Sequence, residues 1–312
     1  MVPGGEGRTA PQKIPGDFST WISFWVEGGD LLVMIIDLTP SVELMRKEEH
    51  VITQCIDGIM VFCNSHLMLS SRNKLAVIGC YTHKSCFLYP HQNAKTVLQS
   101  KDGQYELFSE VDNSIKENIK SLVLENTQEI VSTDSLLAGA ICMALCYINR
   151  IRKEQLTNKN IPSRILVFTS SGDNASQYMN FMNAFFTAQK EGIIIDACIL
   201  EKDSGLLQQG CDITGGIYLK IPNPAGFLQY LLWVFLPNDK TRKEMVLPPR
   251  IHVDYRAACF CHRTLIEIGY VCSVCLSIFC SFSPICSTCQ TTFKFAGTLP
   301  PLKVKKKKRI GI

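Results

Sequence analysis

Apolar residues fall along the chain in two alternating patterns. Near-continuous aliphatic runs occur at Leu31 to Asp37 (LLVMIID), Leu75 to Thr82 (LAVIGCYT), Arg164 to Ser170 (RILVFTS), Ile193 to Leu200 (IIIDACIL) and Gly216 to Ile221 (GIYLKI). Such runs predict strands covered on both faces of a parallel sheet. Between them, apolar residues recur at spacings near three and four. Val42 to Leu69 carries Leu44, Val51, Ile52, Cys55, Ile59 and Phe62. Ser135 to Ile151 carries Leu136, Leu137, Ile141, Leu145 and Ile148, and Ala175 to Glu191 carries Tyr178, Phe181, Met182 and Phe185. These segments predict amphipathic helices, and strands alternating with helices of this length predict βαβ units. The expected fold class is α/β: a doubly wound, mostly parallel sheet, with a small C-terminal module of different composition. His83 to Val131 is polar with no strong period and reads as loops around a short hairpin and a helix. Phe227 to Leu236 (FLQYLLWVFL) is about half the ~20 residues of a bilayer span and reads as a buried core helix.

Composition shifts divide the chain. Residues 1–28 read as a flexible leader, 29–237 as the α/β domain and 238–251 as a linker. Residues 252–294 form a cysteine-rich finger and 295–312 a basic tail. Of 312 residues, 46% are hydrophobic, which supplies a packed core and excludes a mainly disordered or collagen-like chain. The net charge is +4, but Lys303, Lys305, Lys306, Lys307, Lys308 and Arg309 supply six positive charges in one run. The remainder carries −2, which suits neither a large DNA-binding groove nor tight DNA binding by the body. No secretory or membrane segment is visible, so the 15 cysteines read as intracellular and reduced.

Seven of those cysteines and one histidine crowd into Cys259 to Cys289. Two CxxC pairs stand out, Cys272/Cys275 and Cys286/Cys289. Two intervening residues let both sulfurs of a tight turn face one point, and two such turns offer four thiolates in the tetrahedron that Zn2+ accepts. The expected metal ligands are therefore Cys272, Cys275, Cys286 and Cys289, with the ion supplying much of the folding free energy of so small a segment. Cys259, Cys261, His262 and Cys280 supply donors for a second zinc site, or serve as packing or alternative ligands; a single zinc at the paired motifs is the favoured reading. The crowding of the ligands, without the long loop of a RING, argues against ubiquitin-ligase activity.

At the end of the first predicted strand stands Asp37-Leu38-Thr39-Pro40-Ser41, which resembles the DxSxS cation motif of the von Willebrand factor A domain, with Thr in its middle position. Thr133-Asp134-Ser135 resembles that family's second loop. The third loop should carry an Asp directly after the strand, but here the sequence is Thr169-Ser170-Ser171-Gly172-Asp173 and the acid is displaced. The resemblance implies an A-type domain whose site has lost one hard ligand, so Asp37, Thr39 and Ser41 hold a cation, form part of a protein-binding surface, or serve only as loop and helix-cap residues; a cation is the less favoured reading.

Taken with the finger, residues 29 to 294 resemble the family of subunit 3 of the general transcription and repair factor TFIIH. The segments carrying the likeness include SRILVF, QYMNFMNAFFTAQK, IIIDACIL, DSGLLQQGCDITGGIYLKIP and HVDYRAACFCHRTLIEIGYVCSVCLSIFC. The resemblance implies a non-catalytic scaffold of the TFIIH core complex, acting in RNA polymerase II transcription initiation and nucleotide excision repair. It implies partners among the other core subunits, notably a companion von Willebrand A and zinc-finger subunit, and a place in the nucleus. Contact with DNA is expected to be indirect or weak, with no membrane and no small-molecule substrate. The residues agree: there is no GxxxxGK[ST] loop, HExxH or nucleophile elbow. His50, His66, His83, His91 and His252 stand apart from any Cys or Ser partner signature. The tail reads as a nuclear-import signal, a loose nucleic-acid contact or both. The alternative reading is a nucleic-acid-binding zinc-finger protein.

Overall fold

The computed structural model describes residues 29–39, 49–82, 84–90, 104–126, 135–154, 161–174, 177–249, 252–262 and 264–293. The first aliphatic run forms β1 (Leu31–Asp37), and every one of its residues is buried. It lies inside a six-stranded sheet of order β3-β2-β1-β4-β5-β6. The other strands are β2 (Lys74–Cys80), β3 (Ser85–Tyr89), β4 (Ser163–Thr169), β5 (Ile194–Ile199) and β6 (Tyr218–Lys220). All neighbours pair in parallel except β2 and β3, which are antiparallel. Leu31 stands opposite both Lys74 and Ser163, so β1, β2 and β4 begin and end together.

Helices cover both faces, and the alternation of side chains along β1 separates two cores. Leu31, Val33 and Ile35 pack with α3 (Leu137–Glu154), α4 (Tyr178–Lys190) and α5 (Gly205–Thr214). Leu32, Met34 and Ile36 pack on the other face with α1 (Glu49–Leu69) and α2 (Gln104–Asn126). The same face receives α6 (Phe227–Tyr230), which runs into a π-helical turn, Leu231–Phe235. This is the doubly wound, mostly parallel sheet that the aliphatic runs predict. The helix expected over Phe227 to Leu236 is buried through Phe227, Leu231, Val234 and Phe235, while Trp233 is exposed.

The polar stretch His83 to Val131 is more regular than its composition suggests. It contains β3 and the 23-residue α2. Val111, Ile115, Ile119 and Leu122 of α2 are buried at helical spacing, so a period is present after all, narrow and set among charged residues. At the far end of the sheet, Gly215 closes α5 with φ 74°, a conformation that suits glycine. At Gly216 a Cβ would lie 1.9 Å from the Ile195 carbonyl oxygen, so only glycine lets the chain approach β5 there.

The predicted linker opens with structure. Asn238 caps α7 (Asp239–Arg242), its Oδ1 accepting from Thr241 N at 2.9 Å. The buried Arg242 guanidinium donates to both carboxylate oxygens of Asp196 on β5, at 3.0 and 2.6 Å. Arg164 of β4 donates to the carbonyls of Phe235 (2.6 Å), Pro237 (2.8 Å) and Leu236 (2.9 Å), satisfying groups that the π-helical turn leaves open at its end. Compact packing divides the chain into Met1–Asp254 and Tyr255–Ile312. In the second unit β7 (Ala257–Ala258) pairs with β8 (Leu265–Ile266), and β9 (Tyr270–Val271) with β10 (Ile278–Phe279). The predicted leader and tail, together with Ser41, Thr133, Asp134, His83 and His91, lie outside the described residues. No helix among the described residues is long and apolar enough to cross a membrane.

Candidate metal centres

Sheet order reverses at β1, between β2 and β4, and open α/β sheets place their ligand crevices at the carboxyl edge of such a point. Asp37 ends β1 there and is buried. Its Oδ1 accepts from Ser135 Oγ at 2.9 Å and Thr39 N at 3.0 Å. Its Oδ2 accepts from Thr169 Oγ1 at 2.6 Å and from the Ser171 hydroxyl. Three hydroxyls and one amide thus surround the carboxylate. The displaced Asp173 faces elsewhere: it accepts from the Ser204 hydroxyl and from Leu206 N at 3.1 Å, at the start of α5. The acid expected in the third loop serves as a helix cap, and the hydroxyls of Thr169 and Ser171 take its place beside Asp37. Those two roles were missed in the sequence, although Thr169 is the last residue of β4 and Ser171 directly follows the aliphatic run.

In the second unit the two CxxC motifs fold into the same turn twice. In the first, Cys272 N donates to Ser277 O and Leu276 N to Cys272 O, both at 2.9 Å. In the second, Cys286 N donates to Thr291 O and Gln290 N to Cys286 O, again at 2.9 Å. Leu276 (φ 60°) and Gln290 (φ 59°), each just after the second cysteine, adopt the left-handed conformation that reverses the chain. The spacing argument passed over two hydroxyls that a repeated Cys-x-x-Cys-x-Ser/Thr pattern marks: those of Ser277 and Thr291 lie 3.1 Å from Cys275 Sγ and Cys289 Sγ.

The turns bring all four predicted ligands together. Cys272, Cys275, Cys286 and Cys289 place their sulfurs within 4.8 Å of one another. Cys272 Sγ lies 3.7 Å from Cys289 Sγ, and Cys275 Sγ 3.5 Å from Cys286 Sγ. These separations exceed a disulfide bond of ~2.05 Å and approach the ~3.8 Å edge of a tetrahedron of sulfurs around one ion. Cys272 and Cys286 are buried, with Phe279 and Phe293 packed against the cluster. The Ser277 hydroxyl and amide bring the Cys275 thiol down to about 6. Thr291 lowers Cys289 in the same way. Burial pushes the Cys259 thiol up, but bonds from the Thr264 hydroxyl and amide and the His262 amide outweigh it and bring the group to about 5. A thiolate is the form that binds metal. Before ligation the Cys275 amide lowers Cys272, but burial and the thiols of Cys275 and Cys289 outweigh it, and the Cys261 thiol and burial raise Cys280, so both stand above the ordinary thiol value. Cys259, Cys261, His262 and Cys280 also bring their donor atoms within 4.8 Å of one another, so the unit has two clusters that could hold a metal ion.

Of the scattered histidines, His66 is buried in α1 and His252 is exposed. The fold and its sites define a class: a doubly wound, mostly parallel α/β domain followed by a small cysteine-rich module with two clusters that could hold a metal ion. The Transcription factor Tfb4 family matches residues 29–290, across both units, and the chain belongs to that family. It is 40% identical over 281 residues to the general transcription and DNA repair factor IIH subunit tfb4 of Schizosaccharomyces pombe, covering 88% of this chain and 91% of that one. It is 42% identical over 252 residues to general transcription factor IIH subunit 3 of Dictyostelium discoideum, covering 76% and 67%. Among solved structures it is similar to the TFIIH p34 N-terminal domain, with a TM-score of 0.56 and 28% identity over 66% of this chain and 97% of that domain.

Proposed function

We propose that the chain is a non-catalytic structural subunit of the TFIIH core complex. It acts in RNA polymerase II transcription initiation and nucleotide excision repair by docking other proteins. The observation that carries this reading is a family match running from 29 to 290, through the α/β unit and the whole cysteine cluster, with both CxxC motifs inside it. The site chemistry agrees. The strand-end carboxylate of Asp37 is enclosed by hydroxyls of its own chain, and Asp173 is committed to α5. The α/β unit is then a docking body, and its expected partners are other core subunits, notably a companion of similar architecture. The Cys272, Cys275, Cys286 and Cys289 set fits Zn2+ in donor type, number and spacing, and the ion would brace a unit too small for a sufficient apolar core. Nuclear placement follows from the same reading, with DNA contact indirect or weak.

The test is purification of the tagged full chain from nuclear extract, with subunits quantified by mass spectrometry. Recovery of the TFIIH core subunits in fixed stoichiometry is expected. Recovery of the chain without them contradicts the reading.

A further inference from the structure

The second Cys/His cluster differs from the first in burial and in the support around it. The apolar cluster of this unit consists of Cys272, Phe279 and Cys286, with Cys275, Cys289 and Phe293 against it; among the described residues none before Cys272 belongs to it. The preceding hairpin, β7 with β8, has two residues per strand. Its Leu265 is exposed, as is Ile268 just beyond it. A hairpin this short, without an apolar face of its own, needs another constraint. Four donors converge on its loop. Cys261 Sγ lies 3.4 Å from Cys280 Sγ, and His262 Nδ1 lies 3.1 Å from the same sulfur. Cys259 completes the set within 4.8 Å. Cys261 and His262 are exposed, so apolar packing does not explain their convergence.

The ligands also interleave in sequence. Cys259, Cys261 and His262 come first, then Cys272 and Cys275 of the other cluster, then Cys280, then Cys286 and Cys289. One hairpin serves both clusters: Cys272 directly follows β9 and Cys280 directly follows β10. Phe260 N donates to Ile278 O at 2.8 Å, tying the first loop to that hairpin. We propose that Cys259, Cys261, His262 and Cys280 bind a second zinc ion, so that two ions cross-brace the C-terminal unit. Three cysteines and one histidine form a closed structural set for zinc, whose Zn–S and Zn–N distances of ~2.3 and ~2.0 Å give edges of about 3.5 Å between sulfur and nitrogen.

The site is additional to the zinc of the paired motifs, and metal counting on the full chain separates the two. Zinc per chain, measured by elemental analysis and native mass spectrometry, is expected to be two. It should fall to one in Cys280→Ser and in His262→Ala, and return to two in His262→Cys. Cobalt(II) titration of the unmutated chain needs no variant and is expected to saturate at two equivalents. Saturation at one equivalent, or a single zinc that Cys272→Ser removes and Cys280→Ser does not, overturns the proposal while leaving the first site standing. A Cys261–Cys280 disulfide, read as a mass two hydrogens short, also overturns it. A single zinc lost in Cys280→Ser but kept in Cys272→Ser assigns the one ion to the second cluster, and overturns both the paired-motif site and the proposal of two ions.

Discussion

At the scale of single residues, burial decides the chemistry. His66 is 1% exposed, and its Nε2 donates to the Lys74 carbonyl at 3.3 Å. Burial, reinforced by the nearby Arg164 charge and opposed by bonds to the Lys74 and Asp30 backbone, lowers it from 6.5 to about 4. The unfolded chain therefore binds this proton more readily than the folded one. The stabilisation is complete above pH 6.5 and is lost as pH falls toward 4, a change of about 3 kcal/mol at one pKa unit per ~1.4 kcal/mol. Urea denaturation across that window should show the decline, and His66→Gln should flatten it. A folded-state His66 ring titrating near 6.5 by NMR contradicts this. The same scale explains Asp196. Its partner Arg242 lies 46 positions away in what reads as a linker, so nothing local in the sequence announces a buried ion pair.

At the scale of elements, legibility followed the contrast between apolar and polar residues. β1, β4 and β5 lie within one residue of the aliphatic runs that predict them, because strands buried on both faces leave no polar interruption. α3 and α4 were equally clear. α2 was read only as a helix somewhere in a polar stretch, since its buried stripe of Val111, Ile115, Ile119 and Leu122 is one residue wide and lies among charged and amide side chains, with Leu107, Val123 and Leu124 exposed. That stripe bears on the core beneath β2 and β3 nonetheless. Ile115→Ala should cost ~2–5 kcal/mol in urea denaturation, whereas Glu117→Ala on the exposed face should stay within ~0.5 kcal/mol. Equal effects at the two positions would remove α2 from the core. Among the site elements, the paired CxxC turns were legible from spacing, and the structure brings their four sulfurs together. The fate of Asp173 was not, because a helix cap and a loop ligand look alike until the partner, here Ser204 and Leu206, is known.

At the scale of the whole molecule, two units rest on different physics. The α/β unit has aliphatic cores on both faces of its sheet and needs no further constraint. The C-terminal unit has a three-residue buried cluster and strands of two residues, and we propose that metal ligation supplies the rest of its stability. Under the proposed docking role, a unit held rigid by ligation would present its surface without an ordering cost at each encounter. Hydrogen exchange of the full chain, read by mass spectrometry with and without a zinc chelator, tests this division most directly. Chelation should abolish protection at the amides of Cys259, Phe260, Cys272, Cys286 and Phe293, which hydrogen-bond within the second unit, and leave β1, β4 and β5 protected. Unchanged protection of those five amides after complete metal removal, or loss of protection in the central strands alongside them, would contradict it.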